Sequence, residues 1–160
     1  SSDLIQILQT IPLFKDLTPK ELRIIGKLVH VRTYEPNETI FVETEPGVGM
    51  YVVRSGRVEI VMRHNTPNPI VLAELDTGDF FGEMALLGDT IRSATALARD
   101  KVEIIGFFHP DLIEIINLYP QTGAKITFGL ARTLADRLRY TNAQVREYWD
   151  IGGRHEEPLR

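Results

Sequence analysis

The chain has 160 residues, of which 43% are hydrophobic and 25% charged, enough to bury about two thirds of its unfolded surface in one core but too short for a second full domain. Eighteen Lys and Arg against 22 Asp and Glu leave a net charge of −4, with the basic residues scattered, so no broad face attracts a polyphosphate backbone and direct nucleic-acid binding is not expected. The absence of cysteine removes disulfides, Cys-ligated zinc, iron–sulfur clusters and thiol catalysis.

No apolar run approaches the roughly 18 residues of a membrane span and no charged-then-apolar leader is present, so a cytoplasmic location is expected. A first residue of Ser rather than Met reads as a processed or excised piece.

Leu4, Ile5 and Leu8 share one short helical face, and Thr18-Pro19-Lys20-Glu21 ahead of Leu22, Ile25 and Leu28 is a capping box with proline at the first helical position. From Val29 to Phe108 short β-rich runs alternate with turn residues, among them Glu35-Pro36-Asn37, Glu45-Pro46-Gly47 and Gly88-Asp89; turn signals at this spacing suggest a small barrel or jelly roll. Met50 to Arg54 and Arg57 to Met62, on either side of Ser55-Gly56, read as a hairpin. Helix returns at Pro110 to Leu118, breaks at Tyr119-Pro120, and resumes from about Gln121 to Trp149. The domain is expected over 1–150, with 151–160 as a tail.

The stretch from Gly78 to Thr95 carries the chemistry. Glu83 to Leu87 fit one helical turn, whose first N–H groups are free to bind a phosphate oxygen, and Gly82 lets a ligand approach the backbone. A loop that folds back brings the Arg92 guanidinium and the Ser93 hydroxyl to the same spot. Glu83 would repel a phosphate, so its place here makes sense if it accepts from a neighbouring hydroxyl such as a ribose 2′-hydroxyl. The bland alternative is an acidic residue at a helix N-terminus. Arginine for phosphate and glutamate for sugar imply a nucleotide whose phosphate and ribose lie close together.

This stretch resembles the phosphate-binding cassette of the cyclic-nucleotide-binding domain family, and the likeness extends over roughly Ile11 to Tyr148, including Ile11-Pro12-Leu13-Phe14, Gly49 to Gly56 and Leu75 to Glu83. The resemblance implies an α+β, mainly β fold: an eight-stranded jelly-roll β-barrel flanked by N-terminal helices and a long C-terminal helix. It implies ligand contacts from Phe81, Gly82, Glu83, Met84 and Ala85, with Gly82 and Glu83 at the ribose, and from Arg92, Ser93 and Ala94 at the cyclic phosphate. Ile91 stands where many members have proline, which is expected to alter loop stiffness more than ligand class.

Leu134, Leu138, Thr141, Val145 and Tyr148 step by four, three, four and three, a seam of the kind that pairs two helices, so a homodimer is expected; packing of the seam on its own barrel is the alternative. The segment Asp136 to Asn142 resembles the dimerisation helix of the catabolite activator protein group, in which a threonine and the next polar residue, here Thr141 and Asn142, touch the adenine of cyclic AMP, one contact coming from the other subunit. Cyclic AMP is therefore favoured over cyclic GMP. His30, His64, His109 and His155 have no metal-ligand spacing, and no nucleophile–base pair or paired-carboxylate site appears, so neither a metal, a cofactor nor catalysis is expected. The reading is a ligand-gated regulatory module whose effector domain lies elsewhere; its rival is a protein-interaction scaffold that keeps the fold but no longer binds nucleotide.

Overall fold

The computed structural model describes residues 2–151. Helices α1 (Ser2–Gln9) and α2 (Pro19–Leu28), with a 3-10 turn at Pro12–Phe14 between them, precede eight strands: β1 (His30–Tyr34), β2 (Thr39–Phe41), β3 (Gly49–Ser55), β4 (Val58–Met62), β5 (Ile70–Leu75), β6 (Phe80–Phe81), β7 (Thr95–Ala98) and β8 (Val102–Phe108). A second 3-10 turn, Glu83–Leu87, lies between β6 and β7, and helices α3 (His109–Leu118) and α4 (Pro120–Ile151) follow the last strand. Of the expected tail, residues 152–160, His155 among them, lie outside the described residues, while Ile151 ends α4.

The strand number matches the expectation; the closed barrel does not. The strands form two four-stranded antiparallel sheets, ordered β1-β8-β3-β6 and β2-β7-β4-β5, each with two open edges. Nor do the runs on either side of Ser55-Gly56 pair as a hairpin. Both edges of β3 are taken by β8 and β6, so the chain crosses at Ser55-Gly56 into the other sheet, where β4 pairs with β5 and β7.

The apolar run of β3 serves two cores, which is why it lacks alternation. Tyr51 and Val53 join Val58, Ala96, Ala98 and Ile104 between the two sheets. Met50 and Val52 face the opposite way, joining Leu8, Phe14, Ile25, Leu112 and Ile126 in a cluster that packs the helices onto the first sheet. Burying each such side chain contributes about 1.5–3 kcal/mol.

The capping box forms as expected: the Thr18 hydroxyl accepts from the Glu21 N–H at 3.2 Å, and Glu21 accepts from the Thr18 N–H at 2.9 Å. The same carboxylate reaches α4, accepting from the Thr122 hydroxyl at 2.5 Å and the Lys125 ammonium at 2.7 Å. Burial alone would raise its pKa, but the bonds from Lys125, Thr122 and Thr18 outweigh it and hold the group at about 2. Glu21 thus fixes the root of α4. Further along, Ile126 and Leu130 are buried and Leu134 packs at the core margin, whereas Leu138, Val145 and Tyr148 are exposed as α4 runs past the body.

Candidate functional site

β6 ends at Phe81, whose ring stacks on Tyr51 at 5.6 Å and anchors the segment between the sheets. Gly82 then turns the chain with φ 76° and ψ 19°, a left-handed conformation that costs any residue with a Cβ about 1–2 kcal/mol. The 3-10 turn begins at Glu83, and its Leu86 is buried among the helix-side core residues. At the far end, residues 90–92 are strapped to the β2–β3 loop: the Gly47 N–H donates to Thr90 O at 2.9 Å, the Arg92 N–H to Glu45 O at 2.9 Å, and the Thr44 N–H to Arg92 O at 2.8 Å. One end of the segment is therefore fixed between the sheets and the other to the β2–β3 loop, and the turn between them walls a cavity of about 550 Å³.

Two opposite charges are buried at that cavity. Glu83 is 1% exposed, and its only partner among the described residues is Arg137 of α4, whose Nη1 ion-pairs with Oε1; neither oxygen accepts a well-formed hydrogen bond. Arg92 is 7% exposed. Its Nη1 donates to Gly82 O at 3.2 Å and its Nη2 to Gly49 O at 2.6 Å, while its Nε has no acceptor. The guanidinium lies over the Phe41 ring at 4.1 Å and near Tyr51 at 5.6 Å, within cation–π range. Burial lowers the Arg92 pKa, opposed by Tyr51 and Glu83; burial likewise raises that of the Tyr51 phenol, opposed by Arg92. Orphaned hydrogen-bonding atoms on buried charged groups cost about 1–3 kcal/mol or more each, so the site holds capacity that a ligand can satisfy.

Of the residues singled out from sequence, Phe81, Gly82, Glu83, Met84 and Ala85 line this cavity from one side, and Arg92, Ser93 and Ala94 from another. Thr141 and Asn142 do not line it: they are exposed on α4, beyond Arg137. Arg137 lines the cavity instead, one helical turn before Thr141 on the same face, and that four-residue spacing was the signal available for it. Thr90 was also missed. It shares the face of Arg92 two positions on, and its hydroxyl is buried without a partner. The apolar wall comes from Phe41, Ile60, Ala73, Leu75 and Phe80, contributed by four strands, and no local motif announces it.

The family model described as a cyclic nucleotide-binding domain matches residues 31–119, more than half the chain. The chain belongs to this family. The cyclic AMP receptor protein of Thermus thermophilus is 33% identical over 134 residues, which cover 84% of this chain and 60% of that protein. The cAMP-dependent protein kinase regulatory subunit of Yarrowia lipolytica is 33% identical over 97 residues, covering 61% of this chain and 25% of that one. Among solved structures, the N-terminal domain of a transcriptional regulator from Streptomyces coelicolor A3(2) superposes with a TM-score of 0.74 at 28% identity, covering 87% of this chain and 94% of that domain. The chain thus spans 60% and 25% of the length of these two relatives, less than two thirds in each case. As a cyclic nucleotide-binding domain it has its matched region centred on the two sheets and the cassette, while α4 lies beyond the match. Among the described residues no helix is long and apolar enough to cross a membrane, and no three His, Cys, Asp or Glu side chains come together as metal ligands.

Proposed function

We propose that the chain is a non-catalytic sensor module that binds cyclic AMP, with cyclic GMP second, and reports binding through α4. The observation that carries this is the buried Glu83 carboxylate and the buried Arg92 guanidinium on one cavity, both with unsatisfied hydrogen-bonding atoms. A cyclic phosphate takes the Arg92 N–H groups, with Ser93 and Ala94 beside it, and the adjacent ribose 2′-hydroxyl donates to Glu83. The base lies along the apolar wall of Ile60, Ala73 and Leu75.

Arg137 makes the site sensitive to α4. It carries the charge that balances Glu83, so a hydroxyl arriving at that carboxylate shifts the preferred position of the helix. Contact of Thr141 and Asn142 with adenine then requires α4 to close over the cavity or a second copy of α4 to supply them. The exposed Leu138, Val145 and Tyr148 support the second route, since a homodimer through this seam would bury them. The effector that α4 controls lies in another domain or partner.

Titration calorimetry with cyclic AMP, cyclic GMP and 2′-deoxy cyclic AMP tests the proposal. Saturable binding in that order of affinity is expected for the first two, with the deoxy analogue weakened roughly 10- to 100-fold by the missing bond to a charged acceptor. An equal affinity for the deoxy analogue removes Glu83 from the sugar, and no heat with any of the three leaves the scaffold reading.

A further inference from the structure

β8 passes into α3 at Phe108-His109, and three hydrogen bonds define this junction. The Phe108 N–H donates to the Asp111 carboxylate at 2.9 Å, and the His109 N–H donates to Val48 O at 2.8 Å. The third reaches the cassette turn: His109 Nδ1 lies 2.6 Å from the carbonyl oxygen of Leu86, the fourth residue of that turn. A carbonyl only accepts, so Nδ1 carries the proton, which fixes the tautomer of the neutral ring. The ring edge also rests on Gly88, where a Cβ would stand 3.3 Å from Cε1 and 3.4 Å from Nε2.

Among the described residues no other hydrogen bond joins residues 82–94 to α3. The Leu86 side chain shares an apolar cluster with Leu112 and Ile115, but apolar packing is not directional and tolerates sliding. Alongside the histidine the junction is open, with a cavity of about 630 Å³ walled by Val48, Leu87, Phe108 and Pro110. The imidazole is therefore the directional link between the turn that receives a phosphate and the helix that leads to α4.

We infer that His109 is the positioning residue that transmits closure of the cassette turn to α3 and α4, an inference that rests on the nucleotide-binding reading above. When the turn Glu83–Leu87 tightens on a phosphate, the Leu86 carbonyl moves, and the bond at Nδ1 draws the first residue of α3 with it. α3 leads through Tyr119 into α4, and α4 carries Arg137 back to Glu83 in the same cavity. The cassette and the long helix are thus joined at two points, one by His109 and one by Arg137.

The chain's single tryptophan, Trp149, lies on α4 and serves as the reporter. Calorimetry and Trp149 emission are followed together as cyclic AMP is added to the wild type and to His109→Ala, His109→Asn and His109→Gln. Asparagine places an N–H close to the position of Nδ1, whereas glutamine places its amide one bond further out. Wild type and His109→Asn are expected to bind and to show the full emission change. His109→Ala and His109→Gln are expected to keep saturable binding through Arg92 and Glu83 and to lose at least half of that change at saturation. A full change in both overturns the inference while leaving nucleotide binding intact, as does binding by the wild type with no change at Trp149. No binding by the wild type overturns the nucleotide reading and this inference together. Should His109→Ala fail to fold, the contrast between the asparagine and glutamine variants decides the matter.

Discussion

Gly82 and Gly78 both adopt positive φ, at 76° and 90°, yet alanine is expected to cost very different amounts at the two positions. At Gly78 an added Cβ meets nothing within 4 Å, so backbone strain of about 1 kcal/mol is the whole effect. At Gly82 the same atom would stand 2.5 Å from Arg92 Nη1, a separation that real Cβ contacts do not reach. The guanidinium has to move, giving up its bond to Gly82 O and straining the one to Gly49 O. Hydrogen bonds from charged groups contribute about 1.5–3 kcal/mol each, and a displaced arginine recovers part of that in solvent, so a further 1–3 kcal/mol or so is expected. Gly82→Ala should therefore lose about 2–4 kcal/mol against about 1 for Gly78→Ala. Urea denaturation followed by circular dichroism, with unchanged slopes, measures both. Equal losses would mean that Arg92 is not held against Gly82, and the site geometry described above would be wrong.

Glu21 sits at about 2 in the fold against an ordinary 4.5, so its contribution is fully present above pH 4.5 and is lost as pH falls toward 2. With solvent screening this amounts to about 1–2 kcal/mol, visible as a fall in urea midpoint across that window that Glu21→Gln lacks; parallel curves would contradict it. Arg137→Ala leaves the buried Glu83 carboxylate without its cation and should destabilise the fold by about 1–2 kcal/mol, discounted for an arginine side chain that is half exposed. A double-mutant cycle with Glu83→Gln should show coupling of similar size, and additivity would dissolve the pair. Leu138→Glu places a charge in the proposed seam and should shift sedimentation from dimer to monomer, with no change expected if the seam is unused.

What the sequence disclosed was mostly contiguous. Thr18 and Glu21 satisfy each other within one turn, and Gly82 through Leu87 fold on themselves, so both were legible from local spacing. Pairing partners are a different matter. Met50 to Val53 announces burial without saying what lies on either edge, so adjacency in sequence points to the neighbouring run as its hairpin partner, whereas β8 and β6 hold those places. Closure of a barrel likewise depends on edges far apart in sequence. The same limit applies at the site. Nothing near Arg92 foretells that its guanidinium bonds to carbonyls at Gly82 and Gly49, and nothing near Glu83 foretells that Arg137 meets it.

The affinity of cyclic AMP for the wild type and for Arg92→Ala, each checked for fold by circular dichroism, bears most directly on the proposed function. Loss of a charge-assisted contact to phosphate is expected to weaken binding by about 2–3 kcal/mol, roughly 30- to 150-fold. An unchanged affinity in the variant, or a wild type that cyclic AMP does not saturate, would contradict it.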